Sequence, residues 1–159
     1  MSALQFHEIL REIRRFAEAA SDLVSLQEFT VRRIAESLSC YNWVGFYMLD
    51  TKDPGVLVLG PFRGAPTEHV RIPVTEGICG AAVAQRDTIV VDDVGSDPRY
   101  LACSVETKSE IVVPVRVNDE IVGEIDVDSH TRGAFGPQDR DFLERCAAII
   151  GGFIEMHRK

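Results

Sequence analysis

Two apolar runs joined by a tight turn constrain the fold more than any other stretch. Ile111-Val112-Val113-Pro114-Val115 reads as one strand, entered through Glu110. The chain turns at Asn118-Asp119 and returns as Ile121-Val122-Gly123-Glu124-Ile125-Asp126-Val127-Asp128-Ser129. Side chains alternate along a strand with period two. Ile125 and Val127 therefore face a helix-covered core, and Asp126 and Asp128 face the other way. A polar loop carrying Cys103 feeds the first strand through Glu110. The pattern predicts that a thiol, a carboxylate at a strand's start and a carboxylate pair on the next strand meet in space. A register slip of one residue would undo that meeting.

The flanking segments supply a scaffold. Phe6, Ile9, Leu10, Ile13, Phe16 and Ala17 repeat at helical spacing between Leu4 and Ala19. Ser21-Asp22 breaks that helix, and Ser25-Leu26-Gln27-Glu28 has the form of a capping box for a second. Val31, Ile34, Ala35 and Leu38 give the second helix its buried stripe, ending near Ser39-Cys40. Trp43 to Leu49 reads as a strand, Asp50 to Gly55 as a turn, and Val56 to Leu59 as its antiparallel partner. Gly60 to Pro66 is expected as a loop, and Val70 to Val74 as a short extended piece. Ala81 to Gln85 reads as a short helix, Thr88 to Val91 as a strand, and Asp92 to Ala102 as a loop. Pro137, favoured at a first helical position, opens a last helix whose buried face runs from Phe142 to Ile154. Gly151-Gly152 inside it implies either close packing against another helix, as in a dimer, or a frayed end.

The resulting expectation is one α+β domain over residues 1–159, an antiparallel sheet with helices packed on one face. Helices occupy 4–39, the sheet and pocket 41–135, and the last helix 137–157. A doubly wound parallel sheet is disfavoured, because regular long helices do not separate the strands. The net charge of −8 and the scattered basic residues argue against nucleic acid and anionic membranes. No apolar run reaches the roughly 18–20 residues of a membrane helix. Met1 to Glu8 lacks the pattern of a secretory signal, so a cytoplasmic location is expected. The four cysteines, Cys40, Cys79, Cys103 and Cys146, lie far apart, with no Cys-x-x-Cys spacing. That argues against a zinc site and a disulfide framework.

An ordered set of motifs now carries a resemblance. Asn42-Trp43-Val44-Gly45-Phe46-Tyr47, Leu59-Gly60-Pro61-Phe62, Arg71-Ile72-Pro73, Gly77-Ile78-Cys79-Gly80, Cys103 with Ser109-Glu110-Ile111-Val112, and Gly123 to Ser129 occur in one sequence. Together they resemble the stand-alone GAF-domain free methionine-(R)-sulfoxide reductases, from about Cys40 to the last helix. The resemblance implies an antiparallel sheet with helices on one face and a small-molecule pocket on the other. It implies reduction of free L-methionine-(R)-S-oxide, with no metal or organic cofactor. It also implies a homodimer that draws electrons from thioredoxin. The family typically has three cysteines around its site. Cys79 and Cys103 match two of them, and His69 stands where the third would fall.

Sulfoxide reduction needs a thiolate to attack sulfur, an acid to polarise the oxygen, and a second thiol to resolve the sulfenic acid. Cys103 is the expected nucleophile, in a polar loop where Lys108 favours the thiolate. Cys79 is the resolving candidate or a packing thiol; an outside thiol is the other route. Cys40 and Cys146 are expected in the core. Asp126 and Asp128, repelling each other, would raise one pKa and keep a proton. The resemblance supports Asp128 or Glu110 near the sulfoxide oxygen, with the other carboxylates, Asp126 among them, on the substrate's ammonium. Trp43 and Tyr47, four apart on one strand face, would wall the S-methyl group. His69 and His130 read first as surface histidines. Otherwise His130 reaches the pocket mouth and His69 tunes the thiolate. The competing function is a GAF domain that binds a small molecule without turning it over.

Overall fold

The structure, a computed structural model, describes residues 2–102 and 104–158; Cys103 lies outside the described residues. Two helices come first, α1 at Ala3–Ala19 and α2 at Leu23–Ser37. Six strands follow: β1 at Trp43–Leu49, β2 at Val56–Arg63, β3 at Arg71–Pro73, β4 at Ile89–Val91, β5 at Ser109–Val117 and β6 at Glu120–Ser129. Helix α3, Gly77–Gln85, lies between β3 and β4, and α4, Pro137–His157, closes the chain. The strands form one antiparallel sheet in the order β3-β2-β1-β6-β5-β4. Among the described residues no helix is long and apolar enough to cross a membrane.

The β5–β6 hairpin forms at the expected turn. Asn118 and Asp119 take φ of 51° and 66°, the left-handed pair that a two-residue hairpin requires and that these residue types tolerate. The register sets Glu110 opposite Asp128, Val112 opposite Asp126 and Pro114 opposite Glu124. On its other edge β6 pairs with β1, placing Trp43 opposite Asp128, Gly45 opposite Asp126 and Tyr47 opposite Glu124.

The alternation then divides the molecule into two layers. Val44, Phe46, Ile111, Val113, Val115, Ile125 and Val127 point to one face. There they meet Phe6, Ile9 and Ile13 of α1, Val31 and Ile34 of α2, and Phe142, Leu143 and Ile150 of α4. Trp43, Tyr47, Leu57, Ile72, Val112, Ile89 and Val91 point to the other face, where α3 covers them with Ile78, Cys79 and Ala82. The three long helices thus share one face, and the short α3, with Val94, Tyr100 and Leu101, covers the pocket face.

Four local expectations are corrected. Asp22, not Ser25, caps α2: its carboxylate accepts the Ser25 amide at 2.8 Å, and that bond holds its pKa below the usual range. A carboxylate satisfies an orphan amide and also faces the positive end of the helix dipole, so it displaces the hydroxyl. Strand β2 continues through Gly60 to Arg63. A bulge sets Gly60 and Pro61 against Phe46 alone, between the Gly45–Phe62 and Tyr47–Leu59 pairs, and a bulge is where a strand tolerates proline. Helix α3 begins at Gly77, four residues before the expected start. Gly151 does not lie in a frayed end, since α4 runs on to His157. A Cβ there would stand 2.2 Å from the Arg116 carbonyl oxygen, so Gly151 lets α4 lie directly on β5.

Candidate functional site

The pocket face carries an unusual charge pattern. Glu110, Glu124, Asp126 and Asp128 are all buried, and they are the only charged residues buried among those described. Period two puts Glu124, Asp126 and Asp128 on the same side of β6, and Glu110 reaches it from β5. Buried carboxylates without a buried cation must keep protons or bind something positive. Asp126 and Asp128 are 5% and 3% exposed, so the pair is not a solvated strand edge.

The Cys79 thiol reaches this cluster from α3. Its Sγ donates to Asp126 Oδ2 at 3.5 Å. Ligating atoms of Cys79, Glu110 and Asp126 all lie within 4.8 Å of one another. Burial pushes the Cys79 thiol pKa up, and the charges of Asp126, Glu124 and Glu110 push it further. This is an environment for a thiol, not a thiolate. Asp126 is also shifted upward, chiefly by burial, and hydrogen bonds from Glu110 and Cys79 oppose the rise. Loss of water, more than the expected repulsion within the Asp126–Asp128 pair, leads this shift. A hydrogen bond between the carboxyls of Glu110 and Asp126 requires at least one proton held between them.

Glu124 is the residue that sequence reasoning missed. It is 0% exposed, and neither carboxyl oxygen has a well-formed hydrogen bond among the described residues. Burial drives its pKa well up, the neighbouring Cys79 thiol offsets part of that rise, and the charge of Asp126 adds to it. The signal was available: residue 124 shares the parity of Asp126 and Asp128.

Two small cavities open on this face. One, about 20 Å³, is lined by Tyr47, His69, Ile72, Cys79, Glu110 and Asp126, with Leu101 at its side. The other, about 90 Å³, is lined by Trp43, Asp128, Ser104, Thr107 and His130 among others. Asp126 and Asp128 thus share a strand face but open on different cavities. Three aromatic rings stand together on this face. Trp43 stacks on Phe62 at 5.4 Å between centroids and lies 6.2 Å from Tyr47. Their polar ends hold the segment above: Trp43 Nε1 donates to the Ala65 carbonyl at 3.0 Å and Tyr47 OH to the His69 carbonyl at 2.7 Å. Gly45 makes room for the indole, because a Cβ there would come within 2.5 Å of it.

The histidines divide. His69 is partly buried and lines the Cys79 cavity, with Nε2 2.9 Å from the Ala102 carbonyl oxygen. His130 is exposed at the rim of the Asp128 cavity, 3.6 Å from Glu106. Cys146 is fully buried and Cys40 partly so, both packed with the helix-face core. The expected nucleophile, Cys103, is outside the described residues. Leu101 lines the Cys79 cavity and Ser104 the Asp128 cavity.

Comparisons with known proteins show which family this fold belongs to. The GAF domain profile matches residues 4–154. The chain is 37% identical over 142 residues to Protein YtsP of Bacillus subtilis, covering 89% of this chain and 86% of that one. It is 34% identical over 151 residues to the free methionine-R-sulfoxide reductase of Escherichia coli, covering 94% and 89%. The crystal structure of free methionine-R-sulfoxide reductase from Neisseria meningitidis, in complex with its substrate, superposes with a TM-score of 0.91 at 35% identity. That match spans 96% of this chain and 90% of that one. By profile, sequence and fold together, the chain belongs to the GAF-domain free methionine-(R)-sulfoxide reductase family.

Proposed function

We propose that the protein reduces free L-methionine-(R)-S-oxide to L-methionine through a sulfenic acid on Cys103. The observation that carries this reading is the pocket face itself, with four buried carboxylates and, among the described residues, no buried cation, beside a wall of three aromatic rings. A free amino acid brings the missing positive charge in its ammonium and an S-methyl group for the aromatic wall. The names of the matched relatives in E. coli and N. meningitidis support the same substrate.

In the proposed reaction the Cys103 thiolate attacks the sulfoxide sulfur while the oxygen takes a proton. The S–O bond to methionine breaks, the oxygen passes to Cys103 as a sulfenic acid, and methionine leaves reduced by two electrons. The proton held between Glu110 and Asp126 suits the developing oxygen charge. Asp128 or Glu110 is assigned to that oxygen, and the remaining carboxylates, with Asp126, to the ammonium. A thiol then attacks the sulfenic sulfur, forming a disulfide and releasing water, and thioredoxin returns the two electrons. Cys79 is the internal candidate for that thiol. Its burial slows ionisation, and an acceptor 3.5 Å away in Asp126 offers a place for its proton. Binding opens the two small cavities into one space. A homodimer is proposed on the family's pattern.

Turnover of free methionine-(R)-sulfoxide tests this, with dithiothreitol and then thioredoxin, on the wild type and Cys103→Ser. Turnover with both reductants, abolished in the variant, is the expected result. Turnover with dithiothreitol alone would mean a different electron donor. No turnover by a folded protein would leave a small-molecule-binding GAF domain as the better account.

A further inference from the structure

We propose that Cys79, Glu110 and Asp126 form a binding site for a divalent cation of the zinc class. All three are buried, come from three different elements (α3, β5 and β6), and converge their ligating atoms within 4.8 Å. The spacing matches that chemistry. A thiolate at about 2.3 Å and a carboxylate oxygen at about 2.0 Å from one tetrahedral zinc stand about 3.5 Å apart. Cys79 Sγ and Asp126 Oδ2 are 3.5 Å apart.

A second feature points to a ligand at this place. Asp126, 5% exposed, projects into the cavity and its Oδ1 has no hydrogen-bond partner among the described residues. The cavity of about 20 Å³ has the size of one water molecule or one ion. A dication would also take the place of the protons that these buried acids otherwise hold. The sulfur ligand selects the metal class. Magnesium and calcium require six or more oxygen ligands, whereas zinc and cobalt accept thiolate with carboxylate. Three protein ligands leave a fourth position for water. Binding must displace the Cys79 proton, so affinity rises with pH. If Asp126 and Glu110 also serve the substrate, a clause that rests on the proposed function, the cation and methionine sulfoxide exclude each other. The binding itself does not depend on that reading.

The test is titration of the reduced full-length protein with Co²⁺, following thiolate-to-cobalt charge-transfer absorption in the near ultraviolet. One equivalent should produce the band, and Zn²⁺ but not Mg²⁺ should remove it. Cys103→Ser should retain the band and Cys79→Ser should lose it, with circular dichroism showing both variants folded. Asp126→Asn, which keeps the thiol, should weaken cobalt binding by more than about tenfold, at least the loss seen for supporting ligand contacts. No band in the wild type overturns the site. So does a band that survives Cys79→Ser, one that disappears in Cys103→Ser, or an unchanged affinity in Asp126→Asn. None of these readings depends on turnover, so a failed activity assay and a failed metal site are told apart.

Discussion

The two faces of the sheet are built from the same strands and obey opposite rules. On the helix face, Val127, Ile125, Ile111 and Val113 close against α1, α2 and α4 with almost no exposed area. One residue along each strand, the pocket face buries Asp126, Asp128, Glu124 and Glu110 almost as completely. Burial alone therefore does not distinguish core from site. The type of residue buried does. The helix face gains stability from apolar area removed from water, at about 25 cal/mol per Å². The pocket face gives some of that stability up by desolvating acids, a cost that a structural layer has no reason to carry and a binding site does.

The sharpest way to break the comparison is to move a carboxylate across the sheet. Val127 is 0% exposed, paired with Val44 and Ile111, with Asp126 and Asp128 on either side of it in the chain. Val127→Asp should cost more than about 4 kcal/mol, because an acid there is buried without a partner in an apolar layer. Chemical denaturation followed by circular dichroism reads the loss. A stable Val127→Asp protein would mean that the two faces do not differ as described.

How much of this was readable beforehand follows the same division. The strands β1, β5 and β6 and the helices α1 and α4 were legible because alternation and helical spacing are local signals. Asp126 and Asp128 on one face, and Ile125 and Val127 on the other, came from the same rule. The proximity of Cys79 to Asp126 was not legible, because α3 reaches the pocket by tertiary packing that no local period encodes. The hydrogen bond between Glu110 and Asp126 was hidden for a related reason. The register sets Glu110 opposite Asp128, so Asp126 is its diagonal neighbour, a contact that only a built sheet reveals. The length of β2 depended on a bulge opposite Phe46, and the place of His69 on a loop held by Tyr47.

The pocket face should respond oppositely to loss of charge. Asp126→Asn removes an acid whose pKa burial has raised, so its denaturation midpoint should equal or exceed that of the wild type. Turnover should fall, with kcat/KM for methionine-(R)-sulfoxide down by about 10²-fold or more, the size of a lost proton-transfer or charge contact. A variant that loses stability but not activity would make Asp126 a structural residue.

The helix face can be tested for tightness at two adjacent glycines. Gly151 has no room for a Cβ against the Arg116 carbonyl, whereas Gly152 is exposed with nothing within 4 Å. Gly151→Ala should cost about 1–3 kcal/mol through overpacking. Gly152→Ala should gain up to about 1 kcal/mol from helix propensity. Equal effects at both positions would mean that α4 does not seat on β5 as closely as described.

The smallest effect separates the faces by pH. Glu124 has a folded pKa well above its ordinary value of 4.5, first because it is buried and then because Asp126 is charged beside it. In the unfolded chain it ionises near the ordinary value. Between those two values the folded protein holds a proton that the unfolded chain has released. The stability that Glu124 contributes is therefore full below about pH 4.5 and falls as pH rises toward the folded pKa, by up to about 1.4 kcal/mol per pH unit for one proton. Asp126 adds a fall of the same sign from its own lower starting value. Glu124→Gln should remove its share of the slope, leaving a shallower decline from pH 5 to pH 7 in urea midpoints and a more stable protein at the upper end. Parallel curves for wild type and Glu124→Gln would show that Glu124 is paired in solution, and the contrast between the faces would then rest on Asp126, Asp128 and Glu110 alone.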